Sequence, residues 1–74
     1  MATLELYYMT AKGAGICKYL RDQKSTEKAV KSLAKRHIQA RLIEYRTREE
    51  MGRVEVTLEG KWIWWFWRQV FEQE

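Results

Sequence analysis

The sequence predicts an α+β fold of two layers, with one helix packed on a mostly antiparallel sheet of three to five strands. Three observations predict it: alternating apolar and polar residues near the start, a helical apolar stripe in the middle, and a run of aromatic residues near the end. The expected order is β-(β)-α-β-β-β, where the second strand is optional.

Length and composition limit the classes of protein that fit. A chain of 74 residues without proline makes one domain, near the size at which a single core gives marginal stability. The first residues lack a basic segment followed by an apolar run, so no signal peptide is expected, and the longest apolar run is far too short to span a bilayer. The single cysteine allows no internal disulfide, which favours a cytoplasmic protein.

The charge is concentrated in the middle of the chain. The formal net charge is +4, but residues 18–53 contain 11 Lys or Arg against five acidic residues, a net of +6. Such a field favours an anionic partner, although a basic surface with no function remains an alternative.

The first third of the chain predicts a hairpin or a strand followed by an irregular segment. Residues 4–9 alternate, with Leu4, Leu6 and Tyr8 on one face, and the glycines of residues 10–15 favour a turn. Residues 16–21 fit either a helical turn or a second strand; we favour a strand or an irregular segment, with residues 22–25 as a connection.

The helix is the clearest element. Ser25 is the expected N-cap and Glu27 the expected acid of the first turn. The apolar stripe is formed by Ala29, Val30, Leu33, Ala34 and His37. On the far side the helix carries a row of lysines, Lys24, Lys28, Lys31 and Lys35.

A three-stranded meander is expected after the helix. Residues 38–48 predict a long strand with a bulge near Leu42 and Ile43, residues 48–52 a turn, and residues 53–58 a half-buried strand. The last strand is the aromatic run from Trp62 to Trp67. Residues 69–74 form a polar tail that contains an apolar anchor and could form a short helical turn.

The turn before the aromatic strand decides which tryptophans are buried. A three-residue loop, residues 58–60, places Gly60 at the left-handed position, whereas a two-residue turn would put Glu59 there. In the three-residue register Val56 lies opposite Trp62, so Trp62, Trp64 and Phe66 face the core. Ile63, Trp65 and Trp67 then lie on the open sheet face, and a slip of one residue would exchange the two sets.

Two candidate binding surfaces follow from these assignments. The basic surface would contact phosphates of nucleic acid. Its residues are Lys24, Lys28, Lys31, Lys35, Arg36 and Arg41. The aromatic surface would be a protein interface, since Trp, Tyr and Arg dominate interface energetics. Its residues are Tyr45, Arg53, Ile63, Trp65 and Trp67.

Catalysis and metal binding have little support in the sequence. Cys17, Asp22 and His37 are the only Cys, Asp and His, which is too few for a zinc site and more typical of packed or capping residues than of a nucleophilic set. We therefore expect neither an enzyme nor a cofactor.

The function expected is that of a small, basic, self-associating binding module with nucleic acid as the leading partner. The alternative is a protein-interaction or inhibitor module, of the kind found in phages and mobile elements, that binds a larger protein through its aromatic sheet face. A homodimer fits both, because pairing across that face would enlarge a small core. A tryptophan-rich strand at a membrane interface is disfavoured by the acids around it.

Overall fold

The computed structural model describes residues 3–71 and confirms the α+β fold, with one helix on a five-stranded sheet. The strands are β1 (Leu4–Met9), β2 (Gly15–Leu20), β3 (Ala40–Glu44), β4 (Glu50–Val56) and β5 (Trp62–Phe66), the helix is α1 (Gln23–Lys35), and a 3₁₀ turn covers Arg68–Phe71. The sheet order is β2-β1-β3-β4-β5, and every neighbouring pair is antiparallel. The short β3 is therefore the central strand.

The first two strands form a hairpin, which confirms the strand interpretation of residues 16–21. Leu4 pairs with Leu20 and Met9 with Gly15 at the two ends of the ladder. The turn is closed by a hydrogen bond of 2.9 Å from the backbone N–H of Thr10 to the carbonyl oxygen of Ala14.

The helix begins three residues earlier than the sequence indicated, so the prediction of Ser25 as N-cap and of residues 22–25 as a connection was wrong. Asp22 is the N-cap, and its Oδ1 accepts the backbone N–H of Ser25 at 2.6 Å. That hydrogen bond lowers the pKa of Asp22. Glu27 consequently lies beyond the first turn, where it pairs with Arg68 at 2.9 Å.

The helix ends in a left-handed cap. The N–H of His37 donates to the carbonyl of Ala34 and that of Ile38 to the carbonyl of Leu33, which is the Schellman pattern. His37 has φ 56 and is exposed, so it lies just past the apolar stripe in which it was predicted.

The first strand of the β3–β4 hairpin is shorter than expected, and the turn after it comes earlier in the chain. Residues 38–48 were predicted as one strand and residues 48–52 as a turn; instead β3 ends at Glu44, a loop spans residues 45–49, and β4 starts at Glu50. The cause lies in Glu44, which is buried and accepts the backbone N–H groups of Arg46 and Thr47 at 3.0 and 2.7 Å. These bonds stabilise a tight loop in place of further strand. The predicted bulge is confirmed between Leu42 and Ile43.

The register of the last hairpin is as predicted. Gly60 has φ +84 in the three-residue loop, and Val56 pairs with Trp62 and Val54 with Trp64. The even-numbered aromatic residues of β5 therefore share a face with the helix. The strand ends at Phe66, one residue before the predicted end.

The core lies between α1 and the four strands β1, β3, β4 and β5. Its buried residues are Leu4, Leu6, Val30, Leu33, Ala34, Ala40, Leu42, Val54 and Phe66. Gly52 allows the strands to pack here, because a Cβ at this position would lie 2.6 Å from both Leu42 Cδ1 and Phe66 Cβ. Trp62 and Trp64 pack against the rim of this core and stay partly exposed.

Candidate nucleic-acid and protein interfaces

The lysine row, Lys24, Lys28, Lys31 and Lys35, lies on the outer side of α1. All four residues are exposed, and among residues 3–71 none of them forms an ion pair with a carboxylate. Because α1 rises about 1.5 Å per residue, the row is about 16 Å long. In the part of the chain that the structure describes, no carboxylate compensates this line of positive charge.

Two tryptophans lie beside this row, a placement that the sequence did not indicate. Lys31 Nζ lies 5.9 Å from the centroid of the Trp64 ring, at the outer limit of a cation–π contact. The ring of His37 stacks on Trp62 with centroids 5.1 Å apart and planes 4° from parallel. Both tryptophans were predicted to be buried in the core. Because β5 is an edge strand, the helix covers only part of each ring, and the remainder is exposed beside the row.

The open sheet face, on the side opposite α1, carries charges that are already paired. At its centre the buried carboxylate of Glu5 accepts a hydrogen bond from the hydroxyl of Tyr7 and one of 2.8 Å from Arg48. The contact with Glu5 raises the pKa of Tyr7 to about 12. The Glu5 carboxylate is therefore shared between the Tyr7 hydroxyl and the Arg48 guanidinium.

A second cluster on the open sheet face joins two arginines through one carboxylate. Glu50 contacts the Nε of Arg41 at 2.8 Å and the guanidinium of Arg53 at 2.8 Å. Arg41 is the main cause of the lowered pKa of Glu50, and Arg53 adds to it. The arginines here are therefore compensated, unlike the lysines of the helix.

The structure does not bring the six predicted phosphate contacts together. Arg36 caps the C-terminal end of α1 and extends the lysine row, whereas Arg41 lies on the open sheet face against Glu50. The sheet separates these two residues, so a ligand that follows the helix does not reach Arg41 by a straight path.

The predicted interface residues do share the open sheet face or its border. Trp67 and Tyr45 are 60% and 52% exposed, while Trp65 is partly buried and donates its Nε1–H to Glu55 at 3.0 Å. Arg53 lies opposite Trp65, and Ile63 opposite Glu55. Tyr19 adds another ring and contacts Tyr45 edge to face at 6.3 Å. The result is a face rich in aromatic residues whose three arginines are balanced by three glutamates.

A cleft opens where β3 is shorter than its two neighbours. Ala40 is the first residue of β3 and pairs with Tyr8 of β1 and Val54 of β4, whereas β1 runs on to Met9 and β4 to Val56. Because β1 and β4 are two strand spacings apart, their backbones lie about 10 Å from each other. Its lining comes from both faces of the sheet and from the end of the helix. These residues include Tyr7, Tyr8, Arg36, His37, Gln39, Arg41, Glu55 and Trp62.

Other kinds of site find no support in the part of the chain that the structure describes. In residues 3–71 no group of three or more His, Cys, Asp or Glu side chains is arranged to hold a metal ion. Cys17 is exposed on β2 and lines the cleft together with His37, whereas Asp22 caps the opposite end of α1. No helix in the same range is long and apolar enough to cross a membrane.

Comparisons with known proteins give no direct guide to function. No protein-family model matches the chain, and neither the curated proteins nor the solved structures contain a significant match. The chemistry of the two surfaces and the cleft is therefore the guide to function.

Proposed function

We propose that the protein is a small, non-enzymatic binding module that holds nucleic acid on its helix side and associates with a second copy of itself. The observation that carries this proposal is the lysine row, which has no carboxylate partner in residues 3–71 and lies beside two partly exposed tryptophans. Lysines in such a line neutralise successive phosphates and release counterions. Aromatic rings next to a basic track are typical of nucleic-acid surfaces, because bases stack on them.

The open sheet face is better suited to a protein. Its arginines are compensated by Glu5 and Glu50, so it attracts a polyanion weakly. Exposed Trp and Tyr rings around a neutral, hydrogen-bonded centre match the composition of protein interfaces. A larger protein bound there, instead of a second copy, is the alternative function. We propose a cytoplasmic location for either form, which the lone cysteine supports because it allows no internal disulfide.

The lysine row is tested by removing its charge. In the variant Lys28→Gln/Lys31→Gln/Lys35→Gln, we expect weaker oligonucleotide binding and a plot of log K against log salt that is shallower by about 2. The side chains are exposed, so the fold is retained. Fluorescence anisotropy with a labelled oligonucleotide at several salt concentrations measures both quantities.

A matched control removes three positive charges elsewhere. Lys12, Arg21 and Arg46 are exposed and lie outside the row, so their replacement by Gln tests the effect of net charge alone. The control is expected to bind more tightly than the lysine-row variant. Equal losses of affinity in both variants would mean that binding depends only on net charge. That result would contradict a site on the helix.

A further inference from the structure

The cleft at the start of β3 indicates which form of nucleic acid the proposed site binds. We propose that a single strand of nucleic acid leaves the lysine row at the end of α1 and enters this cleft, so that the protein prefers single strands to duplexes. This inference rests on the proposed function and adds to it which form of nucleic acid is bound and where its path ends.

The width of the cleft selects the ligand. The backbones of β1 and β4 lie about 10 Å apart, and the clear space between them is about half of that. A flat unpaired base can enter such a space edge-on, whereas a double helix is too broad to enter. A duplex can therefore reach the lysine row but not the cleft.

The cleft begins where the lysine row ends. Lys35 is the last residue of α1, and Arg36, the C-cap, lines the cleft. Arg36 is exposed and forms no ion pair within residues 3–71. Positive charge thus continues from the helix to the mouth of the cleft without a break.

The walls of the cleft supply surfaces for bases. Tyr7 and Tyr8 line it on the β1 side, and the stacked rings of His37 and Trp62 lie on the β5 side. Unpaired bases stack on such rings, while the bases of a duplex are already stacked on one another.

The cleft also links surfaces that the sheet otherwise separates. Arg36 and Trp62 lie on the helix side, while Arg41 lies on the open sheet face, and all three line the cleft. A strand inside it can therefore approach Arg41, which a ligand confined to the helix cannot. The outer part of the open sheet face, around Tyr45 and Trp67, stays available for a second copy.

The conformation of His37 provides a clean variant. Its φ of 56 is the left-handed conformation that glycine adopts most easily, so His37→Gly removes the stacked ring without straining the backbone. We expect His37→Gly to retain or raise the melting temperature. Its affinity for a labelled dodecathymidylate should fall about tenfold, while its affinity for a duplex of the same length stays within about twofold.

The outcomes distinguish binding in the cleft from binding along the lysine row. If the cleft variant binds the single strand as well as the wild type, while the variant Lys28→Gln/Lys31→Gln/Lys35→Gln does not, the cleft proposal is wrong and the helix site stands. Equal loss of single-strand and duplex binding in the cleft variant also overturns it. If the wild-type protein binds neither oligonucleotide at low salt, the proposed function itself fails.

Discussion

Two non-glycine residues among residues 3–71 have a left-handed backbone conformation, and the side chain of each makes a specific contact. His37 stacks on Trp62, and Arg48, with φ 62, pairs with the buried Glu5. A non-glycine residue in this region costs about 1 to 2 kcal/mol. Glycine would relieve that strain at both positions but would lose the contact.

The two faces of β5 predict opposite responses to truncation. Phe66 is 9% exposed and belongs to the core, whereas the neighbouring Trp67 is 60% exposed. We expect Phe66→Ala to lower the free energy of unfolding by about 3 to 5 kcal/mol. Trp67→Ala should lower it by clearly less, because more than half of the Trp67 surface stays in water. Urea unfolding measures both variants; a greater loss for Trp67→Ala would mean that the register is wrong by one residue.

The elements show where local patterns suffice to predict structure. The alternation of apolar and polar residues predicts β1, and the glycine of a three-residue loop predicts the register between β4 and β5. Both features depend on neighbouring residues in the sequence. The helix start was missed since Asp22 and Ser25 are both good N-caps, and the sequence does not show which side chain accepts which N–H.

The candidate sites were predictable only as lists of residues. The lysine row follows from helical spacing and is placed as expected. The separation of Arg41 from Arg36, and the position of Trp62 at the mouth of a cleft, depend on which strands are neighbours and on how early β3 begins. These are long-range features, and no local pattern in this chain carries them.

The loop between β3 and β4 predicts a loss of stability in acid. Two backbone N–H groups hold the pKa of the Glu44 carboxyl below its ordinary value of 4.5. The carboxyl binds its proton more weakly in the folded chain, so its stabilisation is complete above about pH 4.5 and is lost as the pH falls through the lowered pKa. Glu44→Gln should cost about 1 to 3 kcal/mol at neutral pH and show a smaller further loss in acid.

Thermal unfolding between pH 2 and pH 7 measures this effect. Glu49→Gln is the control, because Glu49 is exposed and adjacent in the same loop. It should follow the wild-type acid profile. An identical profile for Glu44→Gln and the wild type would show that the loop does not depend on the Glu44 carboxylate.

The whole molecule is arranged with a basic side and a neutral aromatic side. Residues 3–71 contain nine buried apolar core residues, and pairing of the exposed rings of the open sheet face with a second copy would bury further apolar surface. We expect a dimer by light scattering at high protein concentration, and a monomer for Trp67→Arg, which places a charge in the interface. A wild-type protein that remains monomeric would leave a different protein as the partner of this face.

A titration of the wild-type protein with a short single-stranded oligonucleotide tests nucleic-acid binding most directly. The titration is followed by tryptophan fluorescence at low and high salt. We predict quenching that weakens as salt rises, since bases stack beside Trp62 and Trp64 while lysines hold the phosphates. Absence of binding at low salt would contradict nucleic acid as the partner.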